Sequence, residues 1–126
     1  MVSQQLAGSR VLIVEDEYFL ADDAKSILSD VGAQVVGPVA TVPDARALIE
    51  AEPALDGVLL DVNLRGEMAF ELADTLQERG IPFAFVTGYD RAAMPERFAD
   101  ATSVTKPVGR DQLIELVEQL AGSNRR

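Results

Sequence analysis

Apolar residues recur along this chain in two alternating rhythms. Short runs bounded by polar or turn residues fall at Val11–Val14, Gln34–Val36, Gly57–Leu60, Phe83–Val86 and Ser103–Thr105, and they predict five strands. Between them, apolar positions recur three and four residues apart. Leu20, Ala24, Ile27, Leu28 and Val31 form one such stripe; Ala45, Leu48 and Ile49 a second; Ala69, Leu72, Ala73 and Leu76 a third; Leu113, Leu116, Val117 and Leu120 a last. The segment from Asp90 to Ala99 predicts a weaker helix, its stripe mostly alanine and Phe98. Gly32 and Gly80 stand where helices end with positive φ, and Pro43 where a first turn tolerates proline. Strands alternating with helices predict a parallel α/β sheet covered on both faces. No repeat, low-complexity tract or linker interrupts the pattern. One domain over residues 10–121 is expected, with residues 1–9 and 122–126 as loosely held tails.

In such a fold the carboxyl ends of the strands form the ligand-binding edge. The polar residues that interrupt the pattern all fall there. Glu15 and Asp16 follow the first strand, Asp61 ends the third, Thr87 the fourth and Lys106 the fifth. Each alone has an ordinary reading: an acidic helix start for Glu15 to Glu17, an Asx turn for Asp61, a turn residue for Thr87 and a solvated lysine for Lys106. Taken together they argue otherwise. Three carboxylates within about 4 Å of one another would repel by ~4 kcal/mol per pair at an effective dielectric near 20, a cost that a bound cation removes. Mg²⁺ takes oxygen ligands and commonly joins one or two carboxylates to a phosphate, so the set points to phosphoryl chemistry.

Composition narrows the field further. The chain has 126 residues, a formal net charge of −10, no histidine and no cysteine. Zinc sites and Ser/His or Cys/His nucleophile pairs are thereby excluded. The negative charge opposes direct nucleic-acid binding and favours a divalent cation or a basic partner surface. No apolar run is long enough to span a membrane, and the first ten residues lack a signal-peptide pattern, so a cytoplasmic location is expected.

The acidic pair in "VEDE", the aspartate in "LLDVNL", the threonine in "FVTGY" and the "KP" after the last strand resemble the receiver domains of two-component response regulators. The resemblance spans about residues 10–121. It implies a flavodoxin-like doubly wound sheet of five parallel strands, order 2-1-3-4-5, with five helices. By position it implies Asp61 as phosphoacceptor, taking a phosphoryl group from a histidine kinase or histidine phosphotransfer protein. Glu15, Asp16, Asp61 and the Asn63 backbone carbonyl would hold Mg²⁺, while Lys106 and Thr87 would bind phosphoryl oxygens. No enzyme activity is implied beyond forming and losing the aspartyl phosphate. Output would pass to a downstream protein partner by phosphorylation-dependent binding.

The chain departs from the family pattern at several positions. Arg65 stands where proline is usual, Ala69 where glycine is, Ser103 where many receivers carry a switch aromatic, and Val108 where an aromatic is common. Tyr89, two residues beyond Thr87, is the candidate substitute for the switch ring. "PFAFVTGY" is similar to the Phe-Ala-Thr-Gly-Tyr signature of a subfamily of single-domain receivers, with Val86 for alanine. The alternatives are a degenerate receiver that binds partners without phosphorylation, and an aspartate-nucleophile phosphatase. The latter needs a second acid where Asn63 stands. A nucleotide- or flavin-binding module would need a glycine-rich loop where the chain has acids.

Overall fold

The computed structural model describes residues 5–52, 54–88 and 94–124. Five parallel strands make the main sheet: β1 (Arg10–Val14), β2 (Gln34–Val39), β3 (Gly57–Leu60), β6 (Phe83–Thr87) and β7 (Ser103–Thr105), in the order β2-β1-β3-β6-β7. With the two short strands β4 (Asn63–Leu64) and β5 (Glu67–Met68) set apart as an antiparallel hairpin, this is the expected flavodoxin-like 2-1-3-4-5 arrangement. The central strands are buried along their length, as strands covered on both faces must be.

Alternation along each strand feeds two cores. Leu12, Val14, Val58, Leu60 and Phe85 face helices α2 (Val42–Ala51) and α3 (Phe70–Glu78). Val11, Ile13, Leu59 and Ala84 face α1 (Tyr18–Asp30) and α4 (Arg110–Asn124). Phe85 is fully buried among Phe70, Phe83 and Phe98, with ring centroids 5.4 to 6.2 Å away. Truncating such a ring to alanine typically costs about 3–5 kcal/mol. Helix α2 begins at Thr41, whose hydroxyl accepts the Asp44 N–H, with Pro43 in the first turn as expected.

Three expectations need correction. The described residues hold four α-helices, not five. Asp90 to Ala93 of the expected helix over 90–99 lie outside the described residues, and its described remainder holds a single 3-10 turn at Glu96–Phe98. The stretch before β1 is not loosely held where it is described. Leu6 is 2% exposed in the α1/α4 core, and its N–H bonds the Val31 carbonyl. At the other end, α4 runs on through Gly122 to Asn124. No described helix is long and apolar enough to cross a membrane.

Candidate functional site

The site is assembled where four strands of the sheet end. Strand β1 leads directly into Glu15 and Asp16, and the Glu15 N–H is fixed to the Val39 carbonyl of the neighbouring strand. Asp61 follows β3, its N–H bonded to the Val14 carbonyl. These two backbone bonds carry the strand register past the last paired residues and set the acids side by side. Thr87 ends β6 and is 2% exposed, and its carbonyl accepts the Lys106 N–H beyond β7.

Carboxylate oxygens of Glu15, Asp16 and Asp61 all lie within 4.8 Å of one another. Glu15 and Asp61 are buried, Asp16 half-buried. The Lys106 ammonium sits among them, 2.7 Å from Glu15 Oε1, 2.9 Å from Asp61 Oδ2 and 3.4 Å from Glu17 Oε2. Backbone donors hold the acids in place: Glu17 N–H to Glu15 at 3.1 Å, Asn63 N–H to Asp61 at 3.2 Å and Arg65 N–H to Asp16 at 3.0 Å.

Burial pushes the Glu15 carboxyl up from 4.5 to about 7; hydrogen bonds from Lys106 and the Glu17 backbone oppose this, and neighbouring Asp61 reinforces it. Burial pulls Lys106 down, but hydrogen bonds to Glu15 and Asp61 outweigh it and hold the ammonium above the ordinary lysine value. One ammonium faces more carboxylates than it can neutralise. An oxygen-only donor set with excess negative charge fits a hard divalent cation such as Mg²⁺.

The structure thus brings together Asp16, Asp61, Asn63, Thr87 and Lys106 around one cleft of about 400 Å³, with Glu15 grouped beside Asp16 and Asp61. Tyr89 lies outside the described residues. Two further residues join the site that the sequence pattern does not single out for it. Glu17 occupies the cap position of α1, as expected of a helix start, but its carboxylate also reaches Lys106. Arg65 lines the cleft from the tip of the β4–β5 hairpin. Its signal is the departure from proline; two-residue strands leave no periodicity to read. Beside the site, Tyr18 and Phe19 open α1 at 74% and 85% exposure, their rings edge to face at 5.6 Å.

Comparisons with known proteins identify the family. The profile of the response regulator receiver domain matches residues 11–118, and the chain belongs to that family. Sensory transduction protein LytT of Bacillus cereus is 30% identical over 115 residues, spanning 87% of this chain and 46% of that protein. Transcriptional regulatory protein PdtaR of Mycobacterium tuberculosis is 28% identical over 113 residues, 86% of this chain and 55% of that one. The chain therefore spans about half the length of the curated relatives it matches. Among solved structures, the response regulator PhyR from Brucella abortus superposes with a TM-score of 0.77 at 31% identity, covering 98% of this chain and 51% of that one. The BeF3-activated conformation of SdrG from Pseudomonas melonis Fr1 gives 0.76 at 34% identity, covering 96% and 99%.

Proposed function

We propose that this receiver domain accepts a phosphoryl group on Asp61 from the phosphohistidine of a histidine kinase or phosphotransfer protein and signals by phosphorylation-dependent protein binding. The observation that carries this reading is the setting of Asp61: a buried carboxylate at the mouth of a cleft, 2.9 Å from Lys106 and grouped with two further acids. The Asp61 oxygen attacks phosphorus, a P–O bond forms as the P–N bond breaks, and the electron pair of that bond returns to the imidazole nitrogen. Glu15, Asp16, Asp61 and the Asn63 backbone carbonyl would hold Mg²⁺, which would offset the charge of the transferring group. Lys106 moves from pairing carboxylates to pairing a phosphoryl oxygen, and the Thr87 hydroxyl binds another. The chemistry is confined to forming and losing this one aspartyl phosphate.

The exposed Tyr18–Phe19 pair supports a protein as donor or recipient, because large aromatics left in water beside a reactive site are the residues that anchor interfaces. Resemblance of "PFAFVTGY" to the Phe-Ala-Thr-Gly-Tyr subfamily, and a cytoplasmic setting, belong to the same reading. The test is direct. Acetyl phosphate with Mg²⁺ should add one phosphoryl group by intact mass, and Asp61→Asn or excess chelator should abolish it. Labelling that survives Asp61→Asn would remove Asp61 from the role, labelling that survives chelator would remove the cation, and a wild type that takes no label would leave a phosphorylation-independent binding module.

A further inference from the structure

Two cationic side chains line the cleft over Asp61, Lys106 and Arg65. They are in opposite situations. Lys106 is committed to three carboxylates. Arg65 is exposed, and its guanidinium has no hydrogen bond or ion pair among the described residues, although Asp16, Glu17 and Asp61 line the same cleft. What holds Arg65 is its backbone. It occupies the hairpin tip at φ 54°, its N–H donates to Asp16 Oδ2, and the Gly66 N–H closes the turn onto Asn63 Oδ1 at 2.8 Å. Proline at this position would have neither the N–H nor the φ. The left-handed conformation is strained for arginine and the turn needs nothing from its side chain. The hairpin therefore carries a guanidinium that is uncommitted among the described residues to the rim of an acidic cleft.

Resting on the reading of Asp61 as phosphoacceptor, we propose that Arg65 is a second phosphoryl-binding residue, donating from its guanidinium to the phosphoryl group on Asp61 beside Lys106. The charge balance of the cleft supports this. A phosphoryl dianion entering beside Asp16, Glu17 and Glu15 meets more negative charge than Lys106 and one divalent cation offset, and a guanidinium matches a phosphoryl group with paired donors. Arg65 is thus a binding group for the transferring phosphoryl, whereas its backbone N–H positions Asp16.

Arg65→Gly separates the two roles, since glycine adopts positive φ freely and keeps the N–H, while Arg65→Gln keeps the bulk without the charge. Mg²⁺ alone and Mg²⁺ with beryllofluoride are titrated into wild type and both variants, followed by NMR or calorimetry, alongside labelling rates with acetyl phosphate. Removing a cation should leave Mg²⁺ binding equal or tighter. Beryllofluoride affinity and labelling rate should fall about tenfold in both variants, as for loss of one charge-assisted hydrogen bond at a half-open site, and the difference should narrow as salt rises. Unchanged beryllofluoride binding overturns the proposal. So does weakening of Mg²⁺ and beryllofluoride in parallel, which would mean that Arg65 acts only through the hairpin and Asp16. If wild type itself takes up neither beryllofluoride nor phosphoryl, the reading of Asp61 fails and this inference with it; if wild type takes up both and the Arg65 variants match it, the inference alone fails.

Discussion

Glu15 is the group through which the acidic cluster should report its own charge. It is 8% exposed, and burial first of all raises its carboxyl from 4.5 to about 7. A folded pKa above the unfolded one means that the fold prefers the protonated acid. The stability this gives is fully present below about pH 4.5 and is lost as pH rises through about 7. At about 1.4 kcal/mol per pKa unit, ionised Glu15 burdens the metal-free fold by about 3 kcal/mol at pH 8. Glu15→Gln keeps the shape and removes the charge, giving up the 2.7 Å ion pair while Lys106 retains Asp61. A net stabilisation of about 2 kcal/mol at pH 8 in chelator is therefore expected, shrinking to under about 1 kcal/mol at pH 5, where wild-type Glu15 is already protonated in the fold. With about 2.1 cal/mol/K of unfolding entropy per residue over this chain, 2 kcal/mol corresponds to a rise in Tm of about 7 °C. Thermal melts by circular dichroism at both pH values, with chelator and with Mg²⁺, measure it. Mg²⁺ should then stabilise wild type more than the variant at pH 8, because ligand binding to the fold adds by mass action. A variant that melts no higher than wild type at pH 8 in chelator, or that gains as much at pH 5, would refute the claim that burial governs this carboxyl.

Three further outcomes are expected. Lys106→Ala strips the ammonium from Glu15, Asp61 and Glu17, so the metal-free protein should lose about 3 kcal/mol in urea unfolding, much of it restored by saturating Mg²⁺, and acetyl phosphate labelling should fall at least about tenfold. Thr87→Ala should keep labelling within about threefold of wild type but lose most of the phosphorylation-dependent gain in partner affinity, a coupling typically of about 1–3 kcal/mol; phosphorylated protein that binds its partner as wild type does would rule out the coupling. Phe19→Ser, at an 85% exposed position, should shift stability by no more than about 0.5 kcal/mol and leave acetyl phosphate labelling alone, yet slow transfer from a cognate phosphohistidine donor about tenfold or more.

The rim of the site was legible because it depends on strand ends, and strand ends are where apolar alternation stops and polar residues begin. Glu15, Asp16, Asp61, Thr87 and Lys106 come together for that reason alone. What escaped was whatever lacked a period. The Asn63–Met68 hairpin has strands of two residues, so no periodicity foretold that Arg65 would be carried to the cleft, and only its departure from proline marked it. Strand β2 runs through Gly37 and Pro38 to Val39, farther than predicted, because an edge strand loses nothing to a residue without an N–H. Helix α1 begins two residues before the apolar stripe, and Tyr18 and Phe19 run against the helical pattern by facing water. Leu6 is a single buried leucine in a short segment with no apolar period, too little to register as an element.

The four clustered phenylalanines give a physical meaning to the ring missing at Ser103. In β6, Phe83 and Phe85 face the α2/α3 core while Ala84 and Val86 face the other, so the strand's alternation puts Thr87 on the side of Phe85. Phe85 packs edge-on against Phe70 and Phe98. Phe70 is the first residue of α3, immediately after Ala69, whose N–H is tied to the Val62 carbonyl next to Asp61. Phe98 belongs to the turn that leads toward β7, and its ring stacks on Phe70 at 24°. The loop after Asp61, the end of β6 and the turn at Glu96–Phe98 therefore share one close-packed aromatic core. Such packing does not deform by small degrees, so a displacement at Asp61 or at Thr87 would meet the same rings. The half-buried Ser103 has no ring to contribute; the rings of this core come instead from α3, β6 and the 3-10 turn.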